Sequence, residues 1–334
     1  MSEIRFVTSS DEHVADINPG FRKDNYRDAI LSKLEWQGKL ASKIEADALL
    51  RGGDLFHVKA ANKTTMSTLA AVAGIHSNYS CPTYSVSGNH DMSHNDPKSI
   101  PRQPLGVLFE SGAIKRLDEQ RFTSGSMRVR VVGVEYTTDL YDEGLRDLVR
   151  KKDNEDTYTI AVVHALASFA PAEKIQNFFN EKIFDYRDLV FEGCPDVYVF
   201  GHYHKDQGIK EHLGVKFVNL GAVSRGALVF ENLERIPKVS SIICNSQGIS
   251  IEEHKIPSED ASEIFDIDKK KQIEKEKRSM DTFLSTLAKT NNIGIDDVKT
   301  RVELVKNNKE FSEDLRNLLI ETIETAEAGA MEDE

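Results

Sequence analysis

The residues best suited to chemistry in this chain are carboxylates, imidazoles and one amide that follow short apolar runs. They occur, in order, in Asp11-Glu12-His13, Gly53-Asp54, Gly88-Asn89-His90-Asp91, His164 and Gly201-His202-Tyr203-His204. Two divalent cations about 3.5–4 Å apart need a bridging carboxylate and further nitrogen and oxygen donors on each side. The stretches supply both kinds of donor and no thiolate. They predict a two-metal centre, for which hydrolysis of a phosphate ester is the typical chemistry.

Each stretch is a weak signal alone, and their joint occurrence makes the pattern specific. Asp11 and His13 stand two residues apart, so both can reach one ion, although a turn aspartate beside a surface histidine gives the same spacing. Asp54 can bridge, since each carboxylate oxygen can bind a different ion. His164 alone would be more typical of a structural histidine. Because all the stretches follow strand-like runs in order, we treat them as one site.

The third and fifth stretches carry more information. Asn89 offers a neutral carbonyl oxygen as a ligand. His90 is then available for proton transfer, and Asp91 can orient and charge-stabilise its imidazole. His202 and His204 place two imidazoles on one side of a loop, a spacing typical of metal ligands.

The elements that must position these side chains can be predicted from hydrophobic periodicity. Amphipathic helices are predicted over Asn25–Ile44 and Thr64–His76. Later strand-like runs are Val129–Val134, Thr157–Val163, Val197–Phe200, Val215–Asn219, Val239–Cys244 and Ile249–Glu253. Early βαβ units followed by a strand-rich half predict a mixed α/β architecture with two sheets packed face to face. Asn245-Ser246-Gln247-Gly248 is typical of a hairpin turn between the last two strands.

The composition changes near residue 256, and from Phe265 onward the pattern predicts two or three amphipathic helices and no strand. Their apolar positions are Ile295, Val298, Val302, Val305, Phe311, Leu315, Leu318, Leu319 and Ile323. So small a helical segment must bury these faces against the main domain or against another protein.

Bulk composition narrows the class of protein. The chain has 334 residues, a net charge of −12 and three cysteines without CxxC spacing, which favours a reducing cytoplasm. No apolar run approaches the roughly 20 residues of a membrane-spanning helix. The negative charge argues against broad coating of nucleic acid, although two metals would add about four positive charges at the site. Arg22-Lys23 and Arg27 can also act locally.

In this order the motifs resemble the calcineurin-like metallophosphoesterase superfamily, whose pattern is D-x-H, G-D, G-N-H-[DE], H and G-H-x-H. More narrowly, the chain is similar to SbcD-type nuclease subunits of bacterial and phage double-strand-break repair complexes. The narrower resemblance rests on Gly52-Gly53-Asp54-Leu55-Phe56-His57, on Asp91 in the third motif and on the C-terminal helices.

The resemblance implies an α/β fold, a four-layer α-β-β-α sandwich of two mixed sheets with a C-terminal helical appendage. With the change in composition, it divides the chain into a catalytic domain over residues 1–255 and a helical partner-docking module over residues 265–334. The catalytic domain would include a reduced capping region near residues 226–260.

The roles of the family's residues transfer motif by motif. One metal would be held by Asp11, His13, Asp54 and His204, and the other by Asp54, Asn89, His164 and His202. His90 would donate a proton to the leaving oxygen or stabilise the pentavalent transition state. His57 would position the scissile phosphate, with a surface loop histidine as the alternative. Carboxylate, amide and imidazole ligands suit Mn²⁺, with Fe or Zn as alternatives.

The leading hypothesis is therefore a cytoplasmic, Mn²⁺-dependent DNA exonuclease or endonuclease subunit without a membrane segment. It would bind an SbcC-type coiled-coil ATPase through its C-terminal helices, and a homodimer is a further option. One alternative is a phosphoprotein phosphatase or small-nucleotide phosphodiesterase of the same fold, against which the helical appendage argues. Another is a non-catalytic scaffold that keeps metals for stability, against which the intact His90–Asp91 pair argues.

Overall fold

The structure is a computed structural model of the chain. It describes residues 2–57, 64–141, 144–151, 156–169, 181–291, 298–309, 311–313, 315–317 and 319–321. It divides into two compact units, Met1–Phe265 and Asp266–Glu334. Among the described residues, no helix is long and apolar enough to cross a membrane.

The strands described in the first unit are β1 Glu3–Ser9, β2 Ala48–Arg51, β3 Thr83–Ser85, β4 Lys115–Arg116, β5 Glu119–Ser124, β6 Met127–Val134, β7 Tyr158–His164, β8 Ala167–Ser168, β9 Phe184–Asp185, β10 Val197–Gly201, β11 Gly208–His212, β12 Val215–Asn219, β13 Lys238–Asn245 and β14 Gly248–Lys255. Its α-helices are α1 Tyr26–Lys43, α2 Met66–Ser77, α3 Pro104–Glu110, α4 Gly144–Val149, α5 Phe230–Glu234 and α6 Ala261–Ile264. Short 3₁₀ helices span Pro97–Arg102, Thr138–Tyr141 and Tyr186–Leu189.

The strands form two six-stranded mixed sheets and one small pair. The first sheet has the order β14-β13-β1-β2-β3-β4, and the second has the order β11-β12-β10-β7-β6-β5. In the first sheet β1, β2, β3 and β4 run parallel, as do β6, β7, β10 and β12 in the second. The carboxyl ends of parallel strands meet at one edge of each sheet, and this is where ligands bind in open α/β sheets.

The two sheets pack face to face because alternate residues of each strand point to opposite sides. Phe6 of β1, Val131 of β6 and Val162 of β7 belong to one buried apolar cluster between the sheets. Ile30 of α1 and Val72 of α2 belong to clusters on the outer side of the first sheet. Outside the second sheet, α4 and the 3₁₀ helix Tyr186–Leu189 pack against β6, β7 and β10. The predicted four-layer α-β-β-α sandwich is thus confirmed.

Most of the predicted elements are present with small shifts of their ends. The first helix begins after Asn25, whose side chain accepts a hydrogen bond from the Asp28 amide, and it ends before Ile44. The hairpin between β13 and β14 pairs Asn245 with Gly248, as predicted. Five strands were not predicted. The two-residue strands β8 and β9 form the small separate pair, and β4, β5 and β11 are polar and lie at the sheet edges. Edge strands face water on more sides, so they lack the apolar run on which the prediction relied.

The second unit contains α7 Ile267–Asn291 and α8 Val298–Asn307. Val305 and Phe311 are buried there, with Leu315, Leu319 and Ile320 packed against them. Part of the apolar stripe therefore packs within its own unit. Ile295, Leu318 and Ile323 lie outside the described residues.

Candidate metal centre

All seven predicted metal ligands lie at the carboxyl ends of parallel strands. Asp11 and His13 follow β1, Asp54 follows β2, and Asn89 follows β3 in the first sheet. In the second sheet His164 ends β7, and His202 and His204 follow β10. The two sheets meet closely here, because His164 Nδ1 is 2.6 Å from the carbonyl oxygen of Gly52. Residues far apart in sequence therefore converge on one crevice.

One group of donors contains Asp11, His13, Asp54 and His204, with one ligand atom of each within 4.8 Å of the others. His13 Nε2 and His204 Nε2 are 2.9 Å apart. Asp11 Oδ1 is 3.5 Å from His204 Nε2 and 3.9 Å from His13 Nε2. We call these four residues the first half-site.

The second half-site contains Asp54, Asn89, His164 and His202. Ligand atoms of Asp54, His164 and His202 lie within 4.8 Å of one another. Asn89 Oδ1 is 3.3 Å from His164 Nε2. Asp54 Oδ2 is 3.5 Å from His164 Nε2 and 3.8 Å from His13 Nε2. This carboxylate oxygen therefore lies between the two half-sites, where a bridging ligand is needed.

The donors fit a pair of divalent cations. Asp54 Oδ2 is fully buried and has no hydrogen-bond partner among the described residues. A buried carboxylate oxygen without a partner is costly, and a cation would supply one. His13 and His204 also face each other through ring nitrogens, a contact that suits two lone pairs directed at one ion. Oxygen and imidazole donors without thiolate suit Mn²⁺, Fe or Zn.

Backbone groups hold the ligands in their orientation. The short contact of His164 Nδ1 with Gly52 O favours the tautomer in which Nδ1 donates and Nε2 is left for an ion. The His90 amide donates to Asp54 Oδ1 at 2.8 Å, and the His202 amide donates to Asp11 at 3.1 Å. Each carboxylate is therefore fixed by a peptide from another ligand loop.

Several ligands adopt backbone conformations that side chains rarely occupy. The φ angles of Asp11, His13, Asp54 and His202 are 56°, 51°, 55° and 83°. Non-glycine residues in the left-handed region cost free energy and often mark functional sites. Gly53 precedes Asp54 with φ of 93°, and a Cβ there would lie 2.5 Å from His164 Nδ1. The G-D motif thus needs glycine for both conformation and space.

Charge in the crevice is divided between acidic and basic groups. Burial opposes ionisation of Asp11, but the contact with His204 lowers the pKa of Asp11 to about 2. Burial lowers the pKa of His13 well below its usual range, and His204 adds to this effect. Burial would also lower the pKa of His164, but Asp54 outweighs it and raises that pKa to about 9. Cations must displace such protons, so metal affinity depends on pH.

The structure gives Asp91 a contact set different from the predicted one. Its carboxylate accepts hydrogen bonds from the amides of Gly88 and Phe56 at 3.0 Å and Leu55 at 3.3 Å. It therefore braces the loops after β2 and β3. His90 Nδ1 instead lies 3.0 Å from the carbonyl oxygen of His57, which can orient the imidazole as Asp91 was expected to do. Burial, followed by repulsion from Asp54, raises the pKa of Asp91 to about 7.

His57 lies within this site and contacts two of the other histidines. Its Nδ1 is 3.3 Å from His13 Nδ1, and its ring stacks on the His90 ring with centroids 5.4 Å apart. A metal-ligating imidazole usually has a hydrogen-bond partner at its other nitrogen. His57 supplies that partner to His13, a contact not included in the predicted role of binding phosphate.

Two further contacts involve residues that sequence reasoning missed. Glu12, between Asp11 and His13, is fully buried and pairs with the equally buried Arg51 at the end of β2. Arg51 also donates to Gln37 of α1 at 3.0 Å. The available signals were an arginine ending an apolar strand and a glutamine on the apolar side of a helix. Glu181 Oε2 lies 2.9 Å from His202 Nε2 and had no motif to identify it.

Comparisons with known proteins found similar sequences and similar solved structures. The double-strand break repair protein MRE11 of Encephalitozoon cuniculi is 23% identical over 246 residues, which cover 62% of this chain and 40% of that protein. Among solved structures, TT1561 of Thermus thermophilus is similar over 76% of this chain and 99% of that chain, with 14% identity and a TM-score of 0.40. Purple acid phosphatase PPD1 from yellow lupin is similar over 78% and 53%, with 14% identity and a TM-score of 0.45.

The family model for calcineurin-like phosphoesterases matches residues 4–206. This range holds all seven predicted ligands and more than half of the chain. It also holds His57, His90 and Asp91. The chain therefore belongs to the calcineurin-like phosphoesterase family.

Proposed function

We propose that this protein is a Mn²⁺-dependent phosphodiesterase that cleaves DNA, as the nuclease subunit of an SbcC–SbcD-type repair or recombination complex in the cytoplasm. The observation that carries the proposal is Asp54 Oδ2, which is buried, has no hydrogen-bond partner among the described residues and lies between His13 and His164. The sequence relative named as a double-strand break repair protein supports DNA as the substrate. The chain spans 40% of that relative's length, so the DNA substrate and the ATPase partner of this chain are part of the proposal.

In this proposal Asp11, His13, Asp54 and His204 hold one ion, and Asp54, Asn89, His164 and His202 hold the other. Divalent ions held by these residues would supply Lewis acidity to the phosphate and would lower the pKa of an attacking water toward about 7. The protein's own contribution begins with rigid ligand loops, which the amides of His90 and His202 fix by donating to the carboxylates. Such fixed loops need little rearrangement when substrate binds.

His90 is assigned to proton transfer. The His57 carbonyl oxygen, 3.0 Å from Nδ1, fixes the ring orientation and favours a proton on Nδ1. In the doubly protonated state, Nε2 can give its proton to the leaving oxygen, as a general acid does. The His57 ring, stacked on His90, is assigned to holding His13 and to lining the position of the scissile phosphate.

The second unit is assigned to docking on a coiled-coil ATPase. Its long helix α7 is charged and amphipathic, and 25 residues are enough for about seven turns against another helix. Val305, Phe311, Leu315, Leu319 and Ile320 already pack together, so the docking face would be built on this small core. A partner would also supply basic surface that a chain with a net charge of −12 lacks.

The assay that tests the proposal uses metal-stripped protein and three substrates: linear duplex DNA, single-stranded circles and a small phosphodiester. We expect cleavage of at least one DNA substrate with Mn²⁺, and weaker cleavage with Mg²⁺, which dehydrates reluctantly and demands octahedral geometry. Hydrolysis of the small ester without any DNA cleavage would favour a small-nucleotide phosphodiesterase. Release of phosphate from phosphopeptides alone would favour a protein phosphatase. No hydrolysis by metal-loaded protein would favour a non-catalytic scaffold.

A further inference from the structure

Four successive carbonyl oxygens after β12 each accept a hydrogen bond from a cationic side chain. Arg235 donates to the oxygens of Ala222 and Ser224. Lys33 Nζ donates to Val223 O at 2.8 Å, and Arg22 Nη1 donates to Arg225 O at 2.6 Å. We call residues 222–225 the clamped segment. Its cations come from three separate parts of the chain, so the arrangement is a tertiary feature rather than a local turn.

The amides of the same segment face the metal centre. Ala222 N donates to the carbonyl oxygen of His204 at 3.1 Å, and Ser224 N donates to that of Asp11 at 3.2 Å. Between them, Val223 N donates to Ser10 O at 3.1 Å. The clamped segment therefore joins cations on its carbonyl side to the backbone of two ligands of the first half-site.

The crowding of positive charge around this segment is costly. Lys33 is 7% exposed on the inner side of α1. Burial, followed by repulsion from Arg22, Arg235 and Arg225, lowers the pKa of Lys33 to about 7. Arg22 pairs with Asp24, whereas the hydrogen bonds of Arg225 and Arg235 go mainly to backbone oxygens. A buried charge that is stabilised mainly by peptide dipoles fixes those peptides firmly.

This fixation acts where the first half-site is strained. Asp11 has a φ of 56°, and its side chain must stay 3.5 Å from His204 Nε2. Hydrogen bonds in a chain polarise one another, so a cation on a peptide oxygen strengthens the bond that the next amide donates. The clamped segment thus ties the loop after β1 to the loop after β10. The contacts that join His164 to Gly52 and to Asn89 in the second half-site do not pass through it.

We infer that Lys33 and Arg235 are positioning residues for the first half-site, acting through the clamped segment, and that their loss weakens the ion held there more than the other ion. The inference rests on the proposed two-metal centre and deepens it. Outer partners of metal ligands typically contribute about 10–100-fold to metal affinity. The same loss of affinity is expected here at the ion of the first half-site, with a smaller loss at the other, because the His202 amide donates to Asp11.

The test is a stepwise Mn²⁺ titration of the metal-stripped full-length protein in a titration calorimeter, which records the heat of each binding step. His204→Ala and His202→Ala identify which binding step belongs to each half-site. Lys33→Met removes the hydrogen-bond donor to Val223 O in the clamped segment at nearly constant side-chain length. We expect the step that His204→Ala abolishes to weaken by about 10–100-fold in Lys33→Met, and the step that His202→Ala abolishes to weaken much less.

Arg130→Met is the matched control. Arg130 lies on β6 of the second sheet, is also buried and donates to the carbonyl oxygens of Val149 and Arg150 at the end of α4, so its loss costs stability without touching the clamped segment. Arg235→Gln, at a less buried position, repeats the test if Lys33→Met does not fold. Wild-type affinity at both steps, or equal weakening of both, would overturn the inference. If the wild-type protein itself binds no pair of ions, the proposed two-metal function fails. This outcome differs from failure of the inference about the clamped segment, in which the wild-type protein still binds both ions.

Discussion

Asp54 is the residue on which both half-sites depend, because one of its oxygens approaches a histidine of each. Its type and its place after β2 could be predicted, since a bridging carboxylate must come from a rigid strand end. The contacts of Asp91 and His57 could not be predicted. Several polar groups lie near each imidazole, and the conformation of the loops decides which of them makes the contact. The buried pairing of Glu12 could not be predicted from the sequence for a similar reason. Its burial with Arg51 depends on the left-handed backbone at Asp11 and His13.

Replacement of His90 separates proton transfer from metal binding. His90→Ala should lower phosphodiester hydrolysis by about 10²–10⁴-fold, the usual contribution of general acid–base catalysis. Its metal content should remain that of the wild-type protein, because His90 is not assigned as a ligand. Elemental analysis of His90→Ala beside His202→Ala checks this. Equal loss of metal in both variants would show that His90 is a ligand.

Replacement of Gly88 tests the packing of the loop after β3. A Cβ at Gly88 would lie 2.1 Å from Asp54 Oδ1 and 2.6 Å from His164 Cε1, so two ligands must shift. Gly88→Ala should therefore weaken metal binding by about 10–100-fold. Gly74→Ala is the control, since a Cβ there meets nothing within 4 Å and α2 should gain about 0.5–1 kcal/mol. Unchanged metal affinity in Gly88→Ala would contradict the crowded geometry.

At the scale of elements, buried strands and amphipathic helices were predictable because their periodicity is imposed by the core. The strands β6, β7 and β10 are rich in β-branched residues, and most of their side chains are buried on both faces of the sheet. The edge strand β11 has a polar sequence, so only pairing with β12 identifies it. In α1, Lys33 and Gln37 lie on the buried side together with Ile30 and Leu34. Two polar residues on an apolar face were a readable signal for buried networks.

The free energy of unfolding should depend on pH because of His76 in the helix α2. This histidine is buried, its Nδ1 is 2.7 Å from Val72 O, and burial lowers its folded pKa from 6.5 to about 3. Between these two pKa values the unfolded chain binds a proton that the folded chain does not. Stability is therefore lost as pH falls from about 6.5 toward 3, by up to about 1.4 kcal/mol per pH unit from this group.

Urea unfolding of metal-free wild-type protein and His76→Gln, at several values between about pH 4 and pH 6.5, measures this slope. Other acidic groups contribute to both proteins alike, so the difference between the slopes isolates His76. The His76→Gln slope should be shallower by about one proton per molecule. Parallel slopes would mean that His76 is not kept neutral by burial.

At the scale of the whole molecule, the chain consists of a unit that carries every assigned metal ligand and a second unit that carries none of them. From the change in composition near residue 256, the sequence predicts a catalytic domain over residues 1–255 and a docking module over residues 265–334, and these roles stay a prediction. It could not indicate that Phe265 belongs with the first unit, where it bridges to Arg22 and receives its guanidinium over the ring. Docking of the second unit on an ATPase stays a proposal, because hydrophobic periodicity predicts an apolar helix face but does not identify the protein that covers it.

Truncation after Phe265 tests the separation of the two roles. The shortened chain should stay soluble and hydrolyse a small phosphodiester with Mn²⁺ at a rate close to that of the full chain, because it keeps both half-sites and its own core. It should no longer co-purify with a co-expressed SbcC-type ATPase, whereas the full chain should. Aggregation, or loss of small-ester hydrolysis, would instead assign the helices to the catalytic unit.

The most direct test of the two-metal account is a titration of metal-stripped protein with Mn²⁺ while hydrolysis of a small phosphodiester is recorded. Asp54 serves both half-sites, so we predict that the second equivalent of ion brings full hydrolysis and that Asp54→Asn removes it at any Mn²⁺ concentration tested. Full hydrolysis in the presence of excess chelator, or with a single bound equivalent, would contradict the account.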